Sequence, residues 1–184
     1  AQKMCREDNA VLHIDTHEVG PWSEEEQVKA CAHPAFLQFV QDKLTRSGDP
    51  ISPDQVKDVV GKKHYYAGGS ARWMFACTYE QMLNNIEYHL SRVPNASALL
   101  QGFVGVSSQQ SSNHLMTRYK KDKSFRIFLA SKHVASCLLL TCEASVYRMA
   151  YNMATRNGNP AFMGWVVEFD FISQMKSCAK RTGL

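Results

Sequence analysis

Most apolar positions in this chain recur every three or four residues, the period of a helix with one buried face, and only short stretches alternate as a strand would. Residues 9–19 (NAVLHIDTHEV) alternate well enough to predict a short strand, broken by Pro21. Ser23-Glu24-Glu25-Glu26 has the form of a capping box, in which the Ser hydroxyl accepts from the third amide and Glu26 reaches back. Acidic residues in a first turn also suit the helix dipole. The spacing predicts a helix over 24–44, kinked or broken at His33-Pro34. Its apolar positions include Val28, Cys31, Ala32, Ala35, Phe36, Phe39, Val40 and Leu44.

The punctuation beyond it is strong. SGDP at 47–50 is a turn, and Ser52-Pro53 opens a second helix with Pro where its missing N–H costs least. Gly61 is expected to end that helix. Thr78-Tyr79-Glu80-Gln81 is another capping box, opening a helix over 79–92 that Val93-Pro94 stops. Residues 102–120 are rich in Ser, Gln and Gly and predict a short apolar piece followed by an exposed loop. FRIFLA at 125–130 reads as a strand. Ser131 then caps one long apolar helix over 132–154, NGNP at 157–160 is a turn, and 161–180 forms a last amphipathic helix. Helices outnumber strands, so the expected class is mainly α with a small β component. The division is an N-terminal extension or strand at 1–20, then one helix-rich domain at 21–184 with a sub-boundary near 93–125.

A chain of 184 residues, 45% of them hydrophobic, can bury a core without staples. No apolar run approaches the ~20 residues that span a bilayer, so no membrane partner is expected. The first ten residues are polar and charged and do not read as a secretory leader. Net charge is +4 but uneven: residues 1–30 hold seven acidic and three basic side chains, leaving +8 on the rest. The densest basic run is Arg118, Lys120, Lys121, Lys123 and Arg126, interleaved with Tyr119 and Phe125. It reads either as a solvated loop or helix end, or as a site that meets nucleic-acid phosphates with rings to stack on bases. Six cysteines show no C-x-x-C spacing, and Cys77, Cys137 and Cys142 lie in apolar stretches, as small buried hydrophobes do.

Two short patterns carry possible chemistry. His13, Asp15 and His17 share one face if 9–19 is a strand; they read as a His/carboxylate metal site or as a polar strand face. The sharper pattern is YYAGGSARWMF at 65–75. Gly68 and Gly69 open backbone angles closed to other residues, Ser70 caps the following helix, and Arg72 sits in its first turn. Free amides beside a fixed guanidinium can meet a phosphate; the plainer reading is a tight turn whose arginine pairs with a carboxylate.

The string GGSARWMF resembles the Gly-Gly-Ser-Ala-Arg block of the Crinkler effectors of oomycetes and fungi. NPAFMGWVVEFDF at 159–171 resembles a second block of the same proteins, with Gly-Trp-x-x-Glu after Asn-Pro-Ala-Phe, and the two occur in the family's order. The resemblance covers the chain from about Trp22 onward. It implies a secreted virulence protein that works in the host cytoplasm or nucleus, with a nucleotide-binding module related to STAND and AAA-like ATPases and often a nuclease-like or kinase-like domain after it. It further implies that this region is the helical lid of a P-loop NTPase-related module, with Gly68, Gly69, Ser70 and Arg72 at the phosphates and Arg72 as a sensor arginine. Glu168 would be the first acid of a nuclease domain. The chain departs from a complete ATPase: it contains no G-x-x-x-x-G-K-[ST] phosphate loop, and Gly61-Lys62 lacks both the upstream glycine and the following Ser or Thr. A lid without that loop is not expected to turn over ATP, and ATP with magnesium is expected only together with the missing core. The expected function is therefore binding of a host or self protein; an ATPase–nuclease fragment directed at DNA is the alternative.

Overall fold

The computed structural model describes residues 20–93, 99–100, 114–121, 124–140 and 142–182, with the side chains of 118–121, 124–127 and 180–182 left out. The strand expected at 9–19 lies outside the described residues. Helix α1 (Glu24–Cys31) begins on the anticipated box: Glu26 N donates to Ser23 Oγ at 3.2 Å, and Ser23 N donates to Glu26 Oε2 at 2.7 Å. His33-Pro34 breaks the segment completely, and α2 (Pro34–Leu44) starts afresh. The restart rephases the buried face. Leu37, Val40 and Leu44 enter the core, while Ala32 and Ala35 are exposed and Phe39 stands 81% exposed, against the continuous pattern expected across 24–44.

A 3-10 turn (Pro53–Gln55) leads into α3 (Val56–Ala67), which runs straight through Gly61. The expected stop there is wrong for a packing reason. A Cβ at Gly61 would lie 3.1 Å from Glu24 Oε1, so the small residue lets α1 come close, and the helix continues because Val60, Lys63 and Ala67 lie further along its buried face. Residues Arg72–Ala76 form a single π turn. Helix α4 (Tyr79–Leu90) opens on its predicted box, with Gln81 N to Thr78 Oγ1 at 3.2 Å and Thr78 N to Gln81 Oε1 at 3.0 Å.

Strands β1 (Met116–Lys121) and β2 (Ser124–Leu129) pair antiparallel, Met116 opposite Leu129 and Lys121 opposite Ser124. Arg118, Lys120, Lys121 and Arg126 of the basic run thus lie on paired strands rather than at a helix end. Ser131 caps α5 (Lys132–Leu139) as expected, accepting from Val134 N at 3.2 Å. The helix predicted over 132–154 is two helices, however: α6 (Ala144–Asn157) follows a break whose new N-cap, Glu143, is extended. The break turns α6 so that Val146, Tyr147, Ala150 and Ala154 face the core, and Tyr147 Oη donates back to Leu139 O across it. Gly158, left-handed at φ 58°, ends α6, and Asn159 Oδ1 caps α7 (Pro160–Thr182) by accepting from Phe162 N at 3.0 Å. Helix α7 packs on α6 and α5, while α3 packs on α1, α2, α4 and α5. The described fold is mainly α with one small two-stranded sheet, and no helix among the described residues is long and apolar enough to cross a membrane.

Candidate functional site

The GGSAR segment lies where three parts of the chain converge, and its glycines are needed for that approach. Gly68 has φ 55° and ψ −141°, a conformation side chains rarely adopt, and a Cβ there would fall 1.8 Å from Ala130 O. A Cβ at Gly69 would fall 2.5 Å from Pro21 Cβ and 2.9 Å from Trp22 O. The backbone between α3 and the π turn therefore passes between the end of β2 on one side and the entry to α1 on the other.

Most of its polar groups are engaged inside the protein. Gly68 N donates to His64 O at 2.7 Å, Ser70 N to Ala67 O at 3.3 Å, and Trp22 N to Gly69 O at 2.9 Å. Buried Gln27 closes the arrangement, its Nε2 donating to Gly68 O at 2.9 Å and its Oε1 lying 2.8 Å from His64 Nδ1. Burial holds His64 below the ordinary histidine value, with Glu24 partly offsetting it, so a neutral ring donating to Gln27 suits the pair. The Ser70 hydroxyl accepts from Trp73 N at 3.3 Å, as a cap should. The expectation of free amides at the paired glycines is thereby corrected for Gly68. That residue is buried and its N–H is engaged, because the glycine serves a backbone crossing.

The π turn beyond is anchored by a side chain that sequence reasoning passed over. Lys63 is 0% exposed, and its Nζ donates to Lys43 O at 2.7 Å, Met74 O at 2.8 Å and Cys77 O at 2.6 Å. All three ammonium protons meet carbonyls, from the end of α2 and from the π turn and its exit. Burial pushes this lysine down to about 8. The signal was present: Val56, Val60, Lys63 and Ala67 follow one helical face, so a cation occupies a place in an apolar stripe.

On the outside of this joint is a cavity of about 400 Å³ lined by Trp22, Gly69, Ser70, Arg72, Trp73 and His114 among others. Arg72 is exposed and has no ion-pair partner among the described residues, which disfavours the reading that the turn's arginine pairs with a carboxylate. Trp73, His114 and His89 form a stack, with centroids 6.4 Å and then 4.0 Å apart and planes 19° and 9° from parallel. Burial and then the Arg72 charge lower His114; burial, His114 and Arg92 lower His89. A cation beside flat rings can hold an anion attached to a planar group.

The other sequence candidates sit elsewhere. Glu168 pairs with Lys132 at 2.8 Å, tying α7 to the start of α5, and is not part of the Arg72 cavity. Arg118, Lys120, Lys121 and Arg126 have their backbone on the hairpin, with Arg118 opposite Ile127 and Tyr119 opposite Arg126. Lys123, His13, Asp15 and His17 lie outside the described residues. Among the described residues no three His, Cys, Asp or Glu side chains gather as metal ligands would. Cys77, Cys137 and Cys142 are half-buried rather than fully enclosed. Comparison with protein-family models, with curated proteins and with solved structures finds no match.

Proposed function

We propose that this chain is the binding region of a Crinkler-type secreted effector, acting in the host cytoplasm or nucleus by meeting a host protein and so modulating immunity or cell death. The effector setting rests on the GGSARWMF and NPAFMGWVVEFDF resemblance. The observation that carries the binding reading is the outer face of α7. Val167, Phe171 and Met175, one helical turn apart, are 58%, 64% and 57% exposed, while Phe162, Val166 and Phe169 fill the core on the inner face. A row of large apolar side chains in water is a place where burial gives affinity, about 25 cal/mol per Å² covered.

The test is quantitative capture from host-cell extract with the wild-type chain and Phe171→Asp side by side, after confirming equal circular dichroism and melting temperature. A specific protein should fall at least about tenfold in recovery with the variant, the change expected from losing roughly 1.4 kcal/mol. Identical recoveries for every protein would overturn the reading.

A second reading keeps Arg72 as a phosphate contact in the lid of a nucleotide module. It is favoured by one observation, an exposed guanidinium on the lip of a cavity floored by Trp73 and His114. Titration with ATP in the presence and absence of magnesium, repeated with Arg72→Ala, decides it. Binding that is unchanged by the substitution would remove Arg72 from that role.

A further inference from the structure

A different concavity gathers polar groups that the fold leaves unused. It has a volume of about 510 Å³, between the end of α2 and the outer side of α3, and is walled by Tyr65, Tyr66 and Tyr79. The rings stand nearly perpendicular to each other: Tyr65 to Tyr66 at 4.9 Å and 86°, Tyr66 to Tyr79 at 6.0 Å and 73°. Their hydroxyls make no hydrogen bond among the described residues. Thr45, on the same wall, holds Oγ1 buried with no partner, the one buried side-chain polar atom so placed among the described residues.

The rim is charged. Arg46 lies with Cζ 5.5 Å from the Tyr79 ring centroid and has no carboxylate partner among the described residues. Lys62, also lining the cavity, pairs with Asp58 at 2.6 Å, so that acid is neutralised by its own neighbour and Arg46 supplies the net charge. Lys63, at 5.5 Å from the same Tyr79 ring, has all its protons on carbonyls and offers none to a ligand.

The geometry points to a binding site for a small planar aromatic molecule bearing an anionic substituent, its ring against the wall formed by Tyr65, Tyr66 and Tyr79 and its anion on Arg46. Perpendicular rings present both a face and an edge to a flat guest, which suits offset and edge-to-face packing. A guanidinium in reach of that guest donates to two anion oxygens at once, which fixes the anion beside the aromatic wall. The cavity has the size and the mix of apolar wall with few polar groups typical of small-ligand sites. The site is separate from α7 and from the Arg72 cavity, so it stands or falls independently of the function proposed above.

The test uses the full chain and 1-naphthyl phosphate as the probe, followed by isothermal titration calorimetry, with 1-naphthol and inorganic phosphate as separate arms. The naphthyl phosphate is expected to saturate at one site, and each half-probe to bind at least about tenfold more weakly, since each lacks one of the two recognised parts. Arg46→Ala, a surface change, should weaken the probe at least about tenfold through loss of the charge-assisted pair. The Arg72 cavity also sets a cation beside rings, so Arg72→Ala is measured in parallel to place the probe; a probe held in the Arg46 cavity keeps its affinity in that variant. Absence of saturable binding, equal affinity for naphthol or for phosphate alone, or indifference to Arg46→Ala would each overturn the assignment. Loss of binding in Arg72→Ala would do so as well, by moving the probe to the other cavity.

Discussion

Replacing Lys63 by Met keeps most of the buried stem and removes the ammonium, so it isolates what the charge contributes. Holding that charge in the core has a cost: the distance between the ordinary 10.5 and about 8 corresponds to about 3 kcal/mol, at 1.36 kcal/mol per pH unit. Against this stand three hydrogen bonds of 2.6 to 2.8 Å from a charged donor, each contributing roughly 1.5–3 kcal/mol. The methionine would also leave the carbonyls of Lys43, Met74 and Cys77 without that donor. The balance is a loss of about 2–6 kcal/mol, which for a chain of this size lowers the melting temperature by roughly 5–20 °C. Urea and thermal unfolding at neutral pH, followed by circular dichroism, measure it. A second reading comes from pH. The folded chain releases this proton near 8 while the unfolded chain holds it to about 10.5, so the unfolded state binds more protons in that window and the group's contribution to stability rises with pH. Wild type should therefore gain on Lys63→Met between pH 8 and 10. A variant as stable as wild type at neutral pH would refute the reasoning, showing that the carbonyls do not need the ammonium.

Other expectations concern the glycines and the histidines. Gly68→Ala puts a Cβ 1.8 Å from a backbone oxygen in a left-handed conformation, so a loss of at least about 3 kcal/mol or no folded protein is expected. Gly61→Ala meets only the end of the Glu24 side chain at 3.1 Å and replaces a mid-helix glycine, so unfolding should show a change between neutral and about 1 kcal/mol of stabilisation. His64, His89, His114 and His133 are all held below the ordinary 6.5, chiefly by burial. The unfolded chain then takes up protons first as pH falls, so their stabilisation is complete above 6.5 and is lost as pH drops below it; melting temperatures at pH 7.5, 6.5 and 5.5 should decline in that order. Gln27→Leu leaves Gly68 O and the His64 ring without their partner and should cost about 2–4 kcal/mol in urea unfolding, whereas a neutral result would mean water replaces it.

What could be read from the sequence was what depends on neighbours three residues apart. Ser23, Thr78 and Ser131 cap the helices that were expected of them, because a hydroxyl and the third amide meet within one turn whatever the tertiary fold. The division of 132–154 into α5 and α6 was not read that way; α7 packs against both helices, a long-range constraint that neighbours three residues apart do not report. Gly61 has the residue type of a helix end, but the reason for it is Glu24, far away in the chain. The same holds for the paired glycines. Their local chemistry suggested a phosphate cradle, while the atom that excludes a side chain at Gly68 belongs to Ala130.

That placement bears on how the Arg72 site can be tested. The guanidinium is exposed, but the turn that carries it is held from behind by Lys63, and the crossing before it is held by Gln27, His64 and the Ala130 backbone. Substitutions at Lys63, Gln27 or Gly68 would therefore abolish a ligand response by disturbing the joint, whatever the role of the cavity. Arg72 itself forms no ion pair among the described residues and its removal leaves the joint intact, so Arg72→Ala is the substitution that separates binding from folding. A fall in ATP affinity with an unchanged melting temperature would attribute the loss to the guanidinium. A parallel fall in both would mean that the arginine supports the turn instead.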